Sequence, residues 1–151
     1  MALCPSNEAQ RHIPGPQHSA PANDRVIFVV EEDPSIRNFI CRLLKQVTGA
    51  LVLDSAAPDL ALSLARSIGR PIDLLVSDID LGAAQSGIDL AYELARSGSL
   101  VAVLLISGRD AAPYDLPPGW RFLAKPFPVP DFLQCVSELC RASQGPRHNN
   151  P

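Results

Sequence analysis

Apolar positions along this chain fall into short unbroken runs that alternate with stretches of helical spacing. The segment Arg25-Val-Ile-Phe-Val-Val30 is a continuous β-branched and apolar run, the pattern of a strand buried on both faces. Pro34 then stands where a helix starts, at a position whose missing N–H costs nothing. Ile36, Phe39, Ile40, Leu43, Leu44 and Val47 follow at helical spacing, and Gly49 closes the segment. Ala50-Leu-Val-Leu53 predicts a second short strand. Pro58 opens a second helix with Leu60, Leu62, Leu64, Ala65 and Ile68, ended by Gly69. Ile72-Asp-Leu-Leu-Val-Ser77 predicts the third strand, and Gly87 to Ala95 a third helix stopped near Gly98. Leu100 to Ile106 predicts the fourth strand and Arg121-Phe-Leu-Ala124 a short fifth. Pro130 or Asp131 opens the last helix, with Phe132, Leu133, Val136, Leu139 and Cys140 facing inward.

Strands alternating with helices imply a parallel sheet with right-handed crossovers. For five strands at this length, the expected fold is α/β: a flavodoxin-like, doubly wound, five-stranded parallel sheet of order 2-1-3-4-5. One crossover breaks the pattern. Between the fourth and fifth strands lie Pro113, Pro117, Pro118 and Gly119, which would break any helix longer than a turn. The helix there is expected to be short or absent, replaced by a loop or 3₁₀ turn.

The ends of the chain carry no such period. Residues 1–24 hold Pro5, Pro14, Pro16 and Pro21 and read as a disordered tail; residues 143–151 read as a second. One domain, residues 25–142, is expected between them. His12, His18 and His148 all fall in the tails and take no catalytic role. At 151 residues, 46% hydrophobic and 19% charged, the composition is that of an ordinary globular chain. A net charge of −3 argues against a nucleic-acid surface, where a basic patch is expected. Cys4, Cys41, Cys135 and Cys140 form no C-x-x-C pair and sit at no zinc spacing, so Cys41 and Cys135 read as buried helix residues. There is no signal-peptide core and no apolar run of the roughly 20 residues a membrane helix needs, so a cytoplasmic location with no membrane contact is expected.

Chemistry in an open α/β sheet collects at the carboxyl ends of the strands. There the chain places Glu31, Glu32 and Asp33 after the first strand, Asp78 and then Asp80 after the third, Ser107 after the fourth and Lys125 after the fifth. The second strand offers only Asp54. Clustered carboxylates repel one another, and a divalent cation removes that penalty. Hard oxygen donors suit Mg²⁺, which binds through one or two carboxylates, waters and substrate phosphate. A lysine suits a phosphoryl oxygen, a serine hydroxyl can donate to another, and a carboxylate so placed can attack phosphorus to form an aspartyl phosphate. Alone, each feature has a plainer reading. Asp78 could be a surface acid, the acid run a solvated loop at a helix N-terminus, and Phe122 a core residue.

Four segments taken together resemble the landmarks of response-regulator receiver domains: Val29-Val-Glu-Glu-Asp-Pro34, Leu75-Val-Ser-Asp-Ile-Asp-Leu81, Leu105-Ile-Ser-Gly108 and Leu123-Ala-Lys-Pro-Phe127. The resemblance runs from about Arg25 to Ala142. It implies that Asp78 is the phosphoacceptor and that Glu31 and Glu32 are the acidic Mg²⁺-binding pair. The Asp80 backbone carbonyl would complete the metal shell, Ser107 and Phe122 would be the switch residues, and Lys125 the phosphate contact. It also implies a cis Lys125–Pro126 bond. Three departures stand out. The acidic pair is Glu-Glu, so the longer Glu32 must fold back or bind through water, an expectation of weaker metal affinity. Asp80 adds a further acid. The segment from Ser107 to Lys125 is short and rich in proline.

The resemblance thus implies a stand-alone, non-enzymatic signalling domain. It would accept a phosphoryl group from a histidine kinase or phosphotransfer protein, and signal to a downstream protein through altered contacts, with a homodimer left open. No output domain is expected after the last helix. The alternative is a receiver-like binding module that works without phosphorylation. A metal-dependent hydrolase would need a substrate-pocket motif, and none stands out.

Overall fold

The computed structural model describes residues 24–82, 84–108 and 115–143. The bulk of both tails, with Cys4, the three histidines, Pro113 and Tyr114, lies outside the described residues. The strands are β1 (Val26–Val30), β2 (Leu51–Ser55), β3 (Ile72–Asp78), β4 (Leu100–Ser107) and β5 (Trp120–Ala124). The helices are α1 (Pro34–Thr48), α2 (Pro58–Ile68), α3 (Gly87–Arg96) and α4 (Val129–Ala142). All strand pairs are parallel, in the expected order β2-β1-β3-β4-β5.

β1 and β3 are buried along their whole length, as the apolar run of β1 and the Leu-Leu-Val centre of β3 require. Alternate side chains then feed two cores. Ile27, Val29, Leu74, Val76, Leu104 and Ile106 meet α1 and α4 on one face. Val26, Phe28, Val30, Leu75, Val103 and Leu105 meet α2 and α3 on the other. Phe28 and Phe132 are the bulkiest fully buried side chains, one in each core. Each contributes about 1.5–3 kcal/mol of burial.

Several boundaries differ from expectation, among them the start of α4 at Val129 rather than Pro130 or Asp131. β2 runs on to Ser55, because Asp54 and Ser55 pair with Val29 and Val30; backbone pairing with β1 carries the strand past its apolar run. β5 likewise starts one residue early, at Trp120 opposite Val103. The apolar stripes of α1 and α2 are also wider than the core they meet, leaving Phe39, Val47 and Leu60 exposed. Among the described residues between β4 and β5 there is no helix, and Pro117 to Gly119 form a turn into β5; residues 109–114 lie outside the description. No helix among the described residues is long and apolar enough to cross a membrane.

Candidate functional site

Strand register brings the strand-end residues to one rim. Val30, Ser77 and Leu105 lie side by side through the β1–β3 and β3–β4 pairings. Glu31, Asp78 and Ile106 follow directly. The Glu31 N–H donates to the Ser55 carbonyl at 3.1 Å, the Ile79 N–H to the Ile106 carbonyl at 2.9 Å and the Lys125 N–H to the Ser107 carbonyl at 2.7 Å. These backbone bonds continue the sheet by one residue past its formal end, so the functional side chains leave from a rigid platform.

At the centre is Lys125. Its Nζ donates to Asp78 Oδ2 at 2.7 Å and to Glu31 Oε2 at 2.8 Å. The two acids are almost wholly covered, with side-chain exposures of 9% and 1%, so a single ammonium holds two buried anions. Burial alone would push the lysine pKa down. The hydrogen bonds and charges of Asp78 and Glu31 outweigh that and hold it above the ordinary lysine value. Asp78 keeps its other oxygen, Oδ1, for the Asp80 N–H at 3.0 Å, and Glu31 Oε1 accepts from the Asp33 N–H at 3.0 Å. The Lys125–Pro126 bond is cis.

Ser107 is fully buried, and its hydroxyl donates to Asp80 Oδ2 at 3.3 Å. Asp80 is exposed, and its carboxylate folds back from the surface toward Ser107. Phe122 lies half-buried against the α2/α3 core, opposite Leu105. Glu32 is not in the lysine's grasp: its carboxylate crosses to the loop after β3 and rests on Gly82. Glu31, Asp78, Lys125, Asp80 and Ser107 are therefore brought together, while Glu32 and Phe122 flank them.

Two contributors, Arg37 and Gly87, escaped the sequence reading. Arg37, in the first turns of α1, donates through Nη1 to the carbonyls of Glu31 at 2.7 Å and Glu32 at 3.2 Å, and through Nε to Asp54 Oδ2 at 3.1 Å. It clamps the backbone of the acid pair to β2. A cation near a helix N-terminus opposes the helix dipole, and that misfit was the available signal. Gly87 opens α3 so close to β3 that an added Cβ would overlap the Asp78 carbonyl and stand 2.6 Å from Ser77 Oγ. Asp33 is the α1 cap, accepting from the N–H groups of Ser35 and Ile36 at 2.8 and 3.0 Å, and so belongs to the helix rather than the site.

Among the described residues no group of three or more acidic, histidine or cysteine side chains forms a cation cage. Mg²⁺ does not require one, since two carboxylates with waters suffice. The oxygens of Glu31 and Asp78 that converge on one ammonium form such a donor pair. The chemistry of the site fits a hard divalent cation held by Glu31 and Asp78, with the Asp80 carbonyl and Glu32 nearby.

No family model and no curated protein matches the chain. Solved structures do. The receiver domain from the hybrid histidine kinase CckA is 30% identical, over 76% of this chain and 98% of that one, with a TM-score of 0.63. The chain belongs to the response-regulator receiver domains. A response regulator receiver protein from Burkholderia phymatum is 25% identical, over 78% of this chain and 96% of that one, at a TM-score of 0.65. A receiver protein from Sinorhizobium medicae WSM419 shares the fold at a TM-score of 0.69 and 22% identity, over 80% of this chain and 98% of that one. This receiver thus spans nearly the whole of its structural neighbours. Of the residues its sequence marked out, Glu31, Asp78, Asp80, Ser107 and Lys125 lie on the rim where β1, β3, β4 and β5 end.

Proposed function

We propose that this receiver accepts a phosphoryl group on Asp78 and signals through the surface that responds. The observation that carries the reading is the bridging of Asp78 and Glu31 by Lys125 on the strand-end rim. An Asp78 carboxylate oxygen attacks the phosphorus of a phosphohistidine on a histidine kinase or phosphotransfer protein. The new O–P bond forms as the donor's P–N bond breaks. Lys125 leaves the carboxylate to hold a phosphoryl oxygen, as a compact positive charge. Glu31, Asp78 and the Asp80 carbonyl would hold Mg²⁺, which when bound would neutralise charge on the transferring group. Ser107 turns its hydroxyl from Asp80 to a phosphoryl oxygen, and Phe122 follows into the space released. The domain acts by protein contact rather than turnover.

Incubation with Mg²⁺ and a small-molecule phosphodonor, followed by a phosphate-affinity gel, tests the reading. We expect a slow-migrating band with wild type and none with Asp78→Asn. No band at any Mg²⁺ concentration, together with retained partner binding, would replace this reading with that of a phosphorylation-independent binding module. Glu32, which rests on Gly82 while Lys125 pairs with Glu31 and Asp78, is the feature that favours the second reading.

A further inference from the structure

Gly82 stands in the loop between β3 and α3, two residues beyond Asp80, with a left-handed backbone at φ +60°. A Cβ built there would overlap the Oε2 atom of Glu32 and lie 3.4 Å from its Cδ. The carboxylate thus rests on bare backbone, in space that a side chain at position 82 would fill. Its own backbone cannot retreat, because Arg37 Nη1 holds the Glu32 carbonyl at 3.2 Å while Asp54 anchors Arg37 at 3.1 Å. Glu32 therefore reaches across from the loop after β1 to the loop carrying the Asp80 carbonyl, and only the missing side chain at Gly82 gives the extra methylene of a glutamate somewhere to go.

We propose that Gly82 is a positioning residue for Glu32, and that the two form a matched pair setting the affinity of the site for Mg²⁺. The proposal rests on the cation-assisted reading of Asp78 above and deepens it. A side chain at position 82 drives the Glu32 carboxylate off the Asp80 loop, and a shorter acid at position 32 makes position 82 indifferent. The far end of a flexible side chain moves readily, so the substitution displaces Glu32 rather than the loop.

Mg²⁺ alone is titrated into the full chain, and binding is read from amide NMR shifts around Asp78 and Asp80, without phosphodonor. Gly82→Ala is expected to weaken binding roughly tenfold, the lower end of what lost ligand orientation costs a metal site. In a Glu32→Asp background the same substitution should change affinity less than about twofold. Gly69→Ala carries the same backbone strain at φ +66°, with nothing within 4 Å of its Cβ, and should bind as wild type. Glu32→Ala leaves the loop intact and should weaken binding as much as Gly82→Ala, which keeps the test open if the glycine variant folds poorly. Wild-type affinity in Gly82→Ala or in Glu32→Ala, or equal losses in both backgrounds, overturns the pairing while leaving the cation reading in place. A wild-type chain with no saturable shift overturns the cation reading and the pairing with it.

Discussion

Lys125 carries an unusual load for one side chain. Two buried carboxylates share it, and removing it leaves both without a counter-charge. Exposed ion pairs are worth about 0–1 kcal/mol, whereas breaking a buried one costs about 3–5 kcal/mol. Lys125 is 19% exposed, so Lys125→Met should cost about 2 kcal/mol, read by urea denaturation in EDTA. Adding Asp78→Asn should return part of that loss by removing one of the stranded charges. At the opposite end of β3, buried Asp73 accepts the Val26 N–H at 2.9 Å. Asp73→Ala orphans that donor and should cost about 1–3 kcal/mol, while Asp73→Asn keeps the acceptor and should cost less. The thiols report burial in another way. Those of Cys41, Cys135 and Cys140 are pushed above the ordinary 9.0 by desolvation. Above that pH the unfolded thiols ionise while the folded ones keep their protons, so the unfolded state binds fewer protons and stability falls as pH rises. Urea midpoints from about pH 8 to 10 should show a shallower fall in a Cys41→Ala, Cys140→Ala variant than in wild type.

At the scale of elements, α3 is the piece most finely fitted to the site. Its first residue, Gly87, donates its N–H to the Ile79 carbonyl at 3.0 Å and lies against the Asp78 backbone. The preceding Ser86 forms a capping box with Asp89, which lowers the Asp89 pKa through the serine hydroxyl and N–H. Ser86→Ala should cost about 1 kcal/mol in denaturation experiments and leave Asp78 phosphorylation unchanged. Gly87→Ala should cost about 1–3 kcal/mol as an overpacked contact and should also slow phosphorylation, because the overlap falls on the Asp78 carbonyl. Much of this architecture could be read from the chain. Unbroken apolar runs mark doubly covered strands, and the order of a parallel sheet follows from its crossovers, so Asp78, Ser107 and Lys125 could be placed on one rim. What stayed hidden depended on contacts between segments far apart in sequence. β2 extends to Ser55 because β1 offers backbone partners, not because Asp54 and Ser55 favour strands. Arg37 looks like one more polar helix residue until the carbonyls it holds are known. Gly82 and Gly87 read as loop punctuation, yet each matters for what lies against it. Phe39 fits the inward stripe of α1 and is half exposed, because period alone does not say how wide the facing core is.

Over the whole molecule, protection from solvent falls outward from the middle of the sheet. β1 and β3 are paired on both edges and covered on both faces, while β2 and β5 are outer strands with one partner each. Amide exchange should be slowest in Val26–Val30 and Ile72–Asp78, and fastest among the strands in Leu51–Ser55 and Trp120–Ala124. β5 depends on side contacts: Arg121 pairs with Glu138 of α4 at 3.1 Å, and Trp120 packs on Tyr92 of α3 with ring centroids 4.8 Å apart. Faster exchange in β5 than in β3 would agree with this gradient; equal rates would contradict it.

The hydrogen bond from the Lys125 N–H to the Ser107 carbonyl has an engineering consequence. The connection between β4 and β5 leaves just after Ser107 and returns at Trp120, at the far end of β5, and the sheet, rather than the connection, holds Ser107 and Lys125 together. Its length and composition can therefore drift, or be exchanged by grafting, as an interchangeable module. The rim of strand ends keeps its shape whatever residues make that connection.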